Sequence, residues 1–431
     1  MHDGRTTSGE RRRFLFLQGP HGPFFSALAG GLAASGARCW RAGFNGGDRL
    51  FWRDAESYIA FRCPLADWPA ELSRVVAAHG ITDLVLYGET RPVHAAAVAL
   101  AQGSGPTLHI FEEGYLRPYW ATYERDGANG RSRLVSLSID QMRQALSRPS
   151  ATPPAPADRW GDMREHMLYG ALYHGAVLLG QEPTVPTHRN LSIGHEFRLH
   201  LRRLLLMPAH AAGRRNATNR VIRGGFPYHV ALLQLEHDPT FRAWSPFRSM
   251  TAFIEAVTDA FGRGAPPHHR LVFKAHPLED GRAPLAEAIR SAARDRGLAE
   301  RVVFIRGGKL ARLLDGARSA VTVNSTAAQQ ALWRGLPVKC FGTAVYAKPE
   351  LVSDQPLADF FAAPHPPDPG AYADFRRFLV ETSQVGGGFY SLRGRRRLLR
   401  HVVDMMLDPR DPYEVRLGAV AAASQQLRLV E

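Results

Sequence analysis

Thr107-Leu-His-Ile-Phe-Glu-Glu-Gly-Tyr-Leu-Arg-Pro118 is the stretch from which the fold is read. Leu108 to Phe111 is a short apolar run of the kind that forms a buried strand. It runs into two adjacent carboxylates, Glu112 and Glu113, and then Gly114. Side chains alternate across a strand, so the two carboxylates point to opposite sides. Gly114 permits a sharp turn at the strand's carboxyl end, where open α/β sheets bind ligands. One carboxylate is expected to face a cleft while the other holds Arg117 or a helix amino terminus. A strand-end salt bridge accounts for the same residues, so the surrounding chain has to decide between the two.

Upstream, the pattern repeats. Arg13-Phe-Leu-Phe-Leu-Gln-Gly19 reads as a strand entering Gly19-Pro-His-Gly-Pro23, with a helix from about Phe24 to Ala34. A strand near Ala37 to Phe44 leads into Asn45-Gly-Gly-Asp48. A helix over Pro69 to His79 precedes Asp83-Leu-Val-Leu-Tyr-Gly88, which ends in Gly88-Glu-Thr-Arg-Pro-Val-His94. The turn after the first strand offers backbone N–H groups to an anion, although it is neither G-x-G-x-x-G nor a Walker loop. Four βα repeats predict a parallel, doubly wound domain with Gln18, Asn45, Asp48, Glu89, Arg91, His94 and Glu113 along one edge.

Downstream, Pro149 to Pro156 reads as a loop or hinge. Trp160 to Gly180 and Ile193 to Met207 read as helices. The second interleaves basic and apolar residues, which suits a helix on an anionic membrane and equally one packed between domains. Further on, Arg270-Leu-Val-Phe-Lys-Ala-His-Pro277 is a strand with Lys274 and His276 at its exit. Val302 to Ile305 and Gly335 to Gly342 are two more, and Ala320-Val-Thr-Val-Asn-Ser-Thr326 opens a helix over Ala327 to Trp333. Ser325 or Thr326 is a good N-cap, and the N–H groups behind it suit a phosphate that Lys274 and His276 also reach. Two Rossmann-like domains facing each other across a cleft describe an α/β, GT-B-like enzyme. The expected divisions are residues 1–150, a helical basic connector 151–218, a second Rossmann-like domain 219–390, and C-terminal helices 391–431.

Composition agrees with two domains. The chain has 431 residues, 45% hydrophobic and 22% charged, as in ordinary globular proteins. Cys39, Cys63 and Cys340 lack pairing or metal spacing, which suits a reducing compartment. The apolar patch from Met167 to Gly180 is too short to span a bilayer, and no signal peptide is read at the polar start. The net charge of +14 implies a polyanionic partner. Its basic residues are nearly all arginine, a bias that GC-rich coding also produces.

Six motifs together carry a resemblance. Leu17-Gln-Gly-Pro-His-Gly-Pro-Phe-Phe25, Gly43-Phe-Asn-Gly-Gly-Asp48, Tyr87-Gly-Glu-Thr-Arg-Pro-Val-His94 and Phe111-Glu-Glu-Gly-Tyr-Leu-Arg-Pro118 resemble capsular polysaccharide biosynthesis proteins of the KpsS type. Phe273-Lys-Ala-His-Pro-Leu278 and Val323-Asn-Ser-Thr-Ala327 extend the resemblance into the second half. Glu89 stands where the pattern has Asp, and Gly386-Gly-Gly-Phe-Tyr390 replaces an Asn-Gly-Ser-Phe-Tyr-like run. The resemblance implies a retaining β-Kdo glycosyltransferase that moves Kdo from CMP-Kdo to a phosphatidylglycerol-type lipid. This would start the poly-Kdo linker of a capsular polysaccharide, at the cytoplasmic, inner face of the inner membrane. Other capsule assembly proteins are expected partners, and nucleic acid is not.

Site expectations follow. His276-Pro277 is similar to a CMP-binding pair, which places CMP-Kdo against Lys274, His276, Pro277, Asn324, Ser325 and Thr326. Gln18, Gly19, Asn45, Asp48, Arg91 and Arg117 are expected to bind substrate, the two arginines suiting the Kdo carboxylate. No cofactor or metal is expected, since CMP leaves readily and no Asp-x-Asp or His/Cys cluster is present. Glu113 is the expected nucleophile, with Glu112, Glu89 and His94 as the pool for proton transfer. Two other readings share these features: a sugar-nucleotide epimerase-like GT-B enzyme, and a non-catalytic capsule assembly or export factor.

Overall fold

The structure is a computed structural model that describes residues 12–103, 105–147, 162–180, 216–277, 279 and 283–418. In chain order its strands are β1 (Arg13–Phe16), β2 (Arg38–Gly43), β3 (Tyr58–Ala60), β4 (Asp83–Tyr87), β5 (Thr107–Glu113), β6 (Trp120–Arg125), β7 (Tyr228–Leu232), β8 (Arg270–Lys274), β9 (Val302–Ile305), β10 (Ser319–Thr322), β11 (Val338–Cys340) and β12 (Gln384–Gly386). They form a seven-stranded sheet ordered β12-β6-β5-β4-β1-β2-β3 and a five-stranded sheet ordered β11-β10-β7-β8-β9.

The first sheet is buried on both faces, which is why its strands read as nearly unbroken apolar runs. Alternation sends Phe14, Phe16, Val85 and Phe111 to one face, against the helices Phe24–Ala34 and Leu392–Leu407 through Leu28, Leu32, Leu398 and Val402. Leu15, Leu84, Leu86 and Ile110 go to the other, against Trp68–His79 and Pro92–Leu100 through Leu72, Val75, Val93 and Ala97. Each fully buried Leu or Phe contributes about 1.5–3 kcal/mol relative to exposure.

β1 to β5 are mutually parallel, as the βα repeats predict. The expectation of a wholly parallel domain fails at one edge, where β6 pairs antiparallel with β5 and β12 antiparallel with β6. The hairpin turns at Gly114, whose N–H donates to the Trp120 carbonyl at 3.1 Å. A Cβ on Gly114 would sit 2.2 Å from that oxygen, so only glycine fits. The second sheet is parallel throughout, and its central strand β7 has no counterpart in the sequence reading.

The chain divides into two compact units, residues 1–133, 143–190 and 377–431, and residues 134–142 and 191–376. This departs from the divisions at 150, 218 and 390. The C-terminal segment from 377 returns to the first unit because β12 extends its sheet and Leu398, Val402 and Met406 fill its core. The helix read over Trp160 to Gly180 is Asp162–Leu179. The one read over Ile193 to Met207 lies outside the described residues. Ala327 to Trp333 is instead a 3₁₀ turn, Thr326–Ala328, followed by the short helix Gln329–Leu332. No helix among the described residues is long and apolar enough to cross a membrane.

Candidate functional site

Glu112 and Glu113 do part to opposite faces of β5, and each meets a different set of groups. Glu113 lies on the face of Phe111 and Tyr87, half-buried, and its Oε1 accepts a hydrogen bond from the Tyr87 hydroxyl at 3.0 Å. Burial, and after it the Glu113 charge, push the Tyr87 phenol well above its ordinary pKa, so it stays a donor. Tyr87 also has Tyr390 as an electrostatic neighbour and packs edge-on against Phe389, at 5.3 Å between ring centroids. The Gly386–Tyr390 run therefore supports Tyr87 from beneath. Tyr390 stands edge-on to His166 at 4.4 Å, and His166 belongs to the helix Asp162–Leu179. His21, in the turn after β1, stacks against Tyr173 at 4.6 Å and meets His174 and His166 at 5.2 and 6.4 Å. A row of polar rings thus runs from Glu113 along the carboxyl ends of β4 and β1.

Glu112 faces the other way. Its Oε1 accepts from Asn129 Nδ2 at 3.1 Å, while Arg117 is exposed and its Nε donates to the Gly114 carbonyl at 3.2 Å. The Glu112–Arg117 contact weighed from the sequence is replaced by this one. The Asn129 N–H donates to the Tyr115 hydroxyl at 2.6 Å, and that hydroxyl donates to Glu124 Oε2 at 2.6 Å. Glu124 Oε1 accepts from Tyr413 at 2.5 Å and from Ser132. Glu89 shares this side: its Oε2 accepts from the Ala128 N–H at 3.3 Å, and its buried Oε1 has no hydrogen-bond partner among the described residues. Burial raises both Glu89 and Glu124 to about 7. His94 is fully buried, and its Nδ1 meets the Gly88 carbonyl, fastening the β4 exit. Of the expected catalytic four, Glu112, Glu89 and His94 gather on this second side, and Glu113 stands apart.

The expected substrate residues divide similarly. Arg91 lies over the ring of Tyr87 at 5.4 Å. Asp48 is buried, held by Arg41 at 2.8 Å, the Phe44 N–H at 3.0 Å and the Tyr173 hydroxyl at 3.3 Å. Asn45 caps the helix Gly46–Leu50 by accepting from the Asp48 N–H and donates to Tyr173. Both therefore lock the β2 exit loop to the histidine-bearing helix. Gln18 is buried behind β1. Gly19 is a close approach, since a Cβ there would lie 2.7 Å from the Phe25 ring.

In the second unit the expected donor residues sit at strand exits of one sheet, but β7 lies between β8 and β10. His276 and Ser325 are thus two strand spacings apart, about 10 Å. His276 is half-buried and Pro277 exposed. Lys274 is buried, its ammonium donating to the Ala275 carbonyl at 2.9 Å. Asn324 is locked to Gln234 at the β7 exit, its Oδ1 accepting at 2.7 Å and its N–H donating at 3.0 Å. Ser325 caps the turn by accepting from the Ala327 N–H at 3.2 Å, and Thr326 is its first residue.

Sequence reasoning missed Tyr87 beside Glu113, the ring row of Tyr390, His21, His166 and His174, and Glu124, Asn129 and Tyr413 behind Glu112. The Gly-Gly-Gly-Phe-Tyr run was the available signal for Tyr390. A glutamate inside the aromatic strand Trp120-Ala-Thr-Tyr-Glu-Arg125 was the signal for Glu124.

Residues 82–390 match the family described as capsule polysaccharide biosynthesis protein. The capsule polysaccharide export protein KpsS of Escherichia coli is 30% identical over 384 residues, covering 88% of this chain and 97% of that protein. The capsule polysaccharide modification protein LipB of Neisseria meningitidis serogroup A is 28% identical over 385 residues, covering 88% and 91%. Among solved structures, Thermosulfurimonas dismutans KpsC, a β-Kdo 2,7 transferase, is 12% identical with a TM-score of 0.43, covering 92% of this chain and all of that one. Matched along most of its length, the chain belongs to the capsule polysaccharide biosynthesis protein family.

Proposed function

We propose that this protein is a retaining glycosyltransferase that moves Kdo from CMP-Kdo to a phosphatidylglycerol-type lipid, founding the linker of a capsular polysaccharide. Membership of a capsule biosynthesis family supports the pathway. The observation that carries the chemistry is Glu113: a half-buried carboxylate at a parallel sheet's carboxyl edge, oriented by the Tyr87 hydroxyl.

Glu113 attacks the anomeric carbon of Kdo, and the bond to the CMP phosphate breaks with its electron pair leaving on CMP. An acceptor hydroxyl then attacks the same carbon from the opposite side and releases the Glu113 carboxylate. Two inversions give net retention. Of the proton-transfer pool named from the sequence, Glu112, Glu89 and His94 stay with the turn on the other face. We assign the acceptor proton to the imidazole row, His166 first. His276, Ser325 and Thr326 hold CMP, Arg91 attracts the Kdo carboxylate, and the protein works peripherally on the inner face of the inner membrane.

The test is mass spectrometry of phosphatidylglycerol after incubation with CMP-Kdo and purified protein. A Kdo mass increment on the lipid is expected. An unmodified lipid, with a UDP-sugar consumed instead, would return the epimerase reading.

A further inference from the structure

The helix Asp162–Leu179 has two faces with different surroundings. One carries Tyr173 and Val177, both buried, with His166 against Tyr390 and His174 against His21. Ala176 and Tyr173 on that side crowd Gly46 and Gly47, where a Cβ would meet them at 2.4 and 2.6 Å. The other face carries Met167, Leu168, Leu172, Leu178 and Leu179, between 47% and 91% exposed. At 100° per residue these five fall within a single sector of less than half the helix circumference. No Asp, Glu, Lys or Arg occurs between Glu165 and Gln181. Leu50, on the short helix packed alongside, is 51% exposed as well.

A helix apolar on every side belongs in a core, and this one is only half covered. Contiguous large apolar side chains in water mark a surface awaiting an apolar partner. We propose that this face is where the protein docks on an anionic bilayer, with the helix lying in the interface plane and its leucines in the acyl boundary. Charge favours that occupant. The chain carries +14, and residues 181–215, which follow the helix, hold Arg189, Arg198, Arg202, Arg203, Arg214 and Arg215 against Glu182 and Glu196. Continuity with the candidate site favours it too: the docked helix carries His166 on its opposite side and His174 on its flank, so a lipid headgroup at the interface lies about one helix width, about 10 Å, from the ring row. This inference rests on the reading that the acceptor is a lipid.

The experiment is co-sedimentation of the full chain with vesicles of equal parts phosphatidylglycerol and phosphatidylcholine. Leu168→Glu/Leu172→Glu is expected to lower bound protein by about tenfold or more, since both charges must enter the boundary. Its melting temperature and its transfer to soluble dihexanoyl phosphatidylglycerol should match wild type. Leu172→Trp gives an independent reading if the double variant fails to fold, with a blue-shifted emission on vesicles beyond that of wild type. Undiminished binding by the double variant, or no extra shift from Leu172→Trp on protein that does sediment, overturns the proposal. So does a wild-type dimer that the double variant splits, because the occupant is then a second copy. If no variant transfers Kdo to either acceptor while the substitutions still abolish sedimentation, the transferase reading fails and the docking face stands.

Discussion

Two carboxylates adjacent in sequence occupy opposite environments in this molecule. Glu112 belongs to a network in which Asn129, Tyr115, Glu124, Ser132 and Tyr413 satisfy one another, tying the β5–β6 hairpin to the C-terminal segment. Glu113, half-buried, accepts from the Tyr87 phenol on the other face of the strand. The difference teaches where reactivity can reside. A carboxylate tied through Asn129 to a buried network holds a turn, and one oriented by a phenol at a sheet edge can bond a substrate.

The sharpest way to break this contrast is to neutralise each side. Glu113→Gln keeps size and polarity and removes the nucleophile, so transfer should fall by about 10³-fold or more while CMP still binds. Glu112→Gln should leave transfer within about tenfold and lower stability by about 1–3 kcal/mol, because Asn129 loses a charged acceptor. Steady-state transfer and urea denaturation of both variants decide, and equal losses of activity would erase the distinction.

The second test uses pH. Glu89 and Glu124 are raised from 4.5 to about 7 by burial, so between those values the folded chain binds more protons than the unfolded one. Their contribution to stability is therefore full below about 4.5 and is lost as pH rises toward about 7. Glu124→Gln should flatten that part of the stability–pH curve, as measured by melting temperature across the range. A curve with an unchanged slope would place the proton elsewhere.

Smaller effects follow on the Glu113 side and in the second unit. Tyr390→Phe removes a phenol beside Tyr87 and should lower kcat by about tenfold at unchanged KM for CMP-Kdo, since Glu113 loses orientation rather than charge. Its melting temperature should barely move. Ser325→Ala should weaken CMP by about 1 kcal/mol or less, through loss of a cap, and His276→Ala by more. Calorimetric titration of CMP reads both. Unaltered affinity in His276→Ala would remove that residue from the donor site.

Much of the fold was legible because it is local. A period of two assigns Glu112 and Glu113 to opposite faces, and βα repeats with polar strand exits announce parallel sheets. The antiparallel edge was not, because β6 holds Glu124 and Arg125, whose partners are distant in sequence. Arg125 donates to the carbonyls of Met405 and Asp408 at 2.5 and 2.6 Å, and Tyr413 reaches Glu124. Nothing near Trp120 signals that these charges are satisfied. The central strand β7 hides similarly behind His229, a buried histidine bonded to Ser319 and His269. In the site, Tyr390 and His166 come from segments far from Glu113 in sequence and meet one another only through packing.

The most direct measurement is peptide mass spectrometry of the intact protein after a brief incubation with CMP-Kdo and no acceptor. The account predicts a Kdo adduct on Glu113, absent from Glu113→Gln and discharged when lipid acceptor is added. An adduct on Glu112 or Glu89, or full transfer by Glu113→Gln, would contradict it.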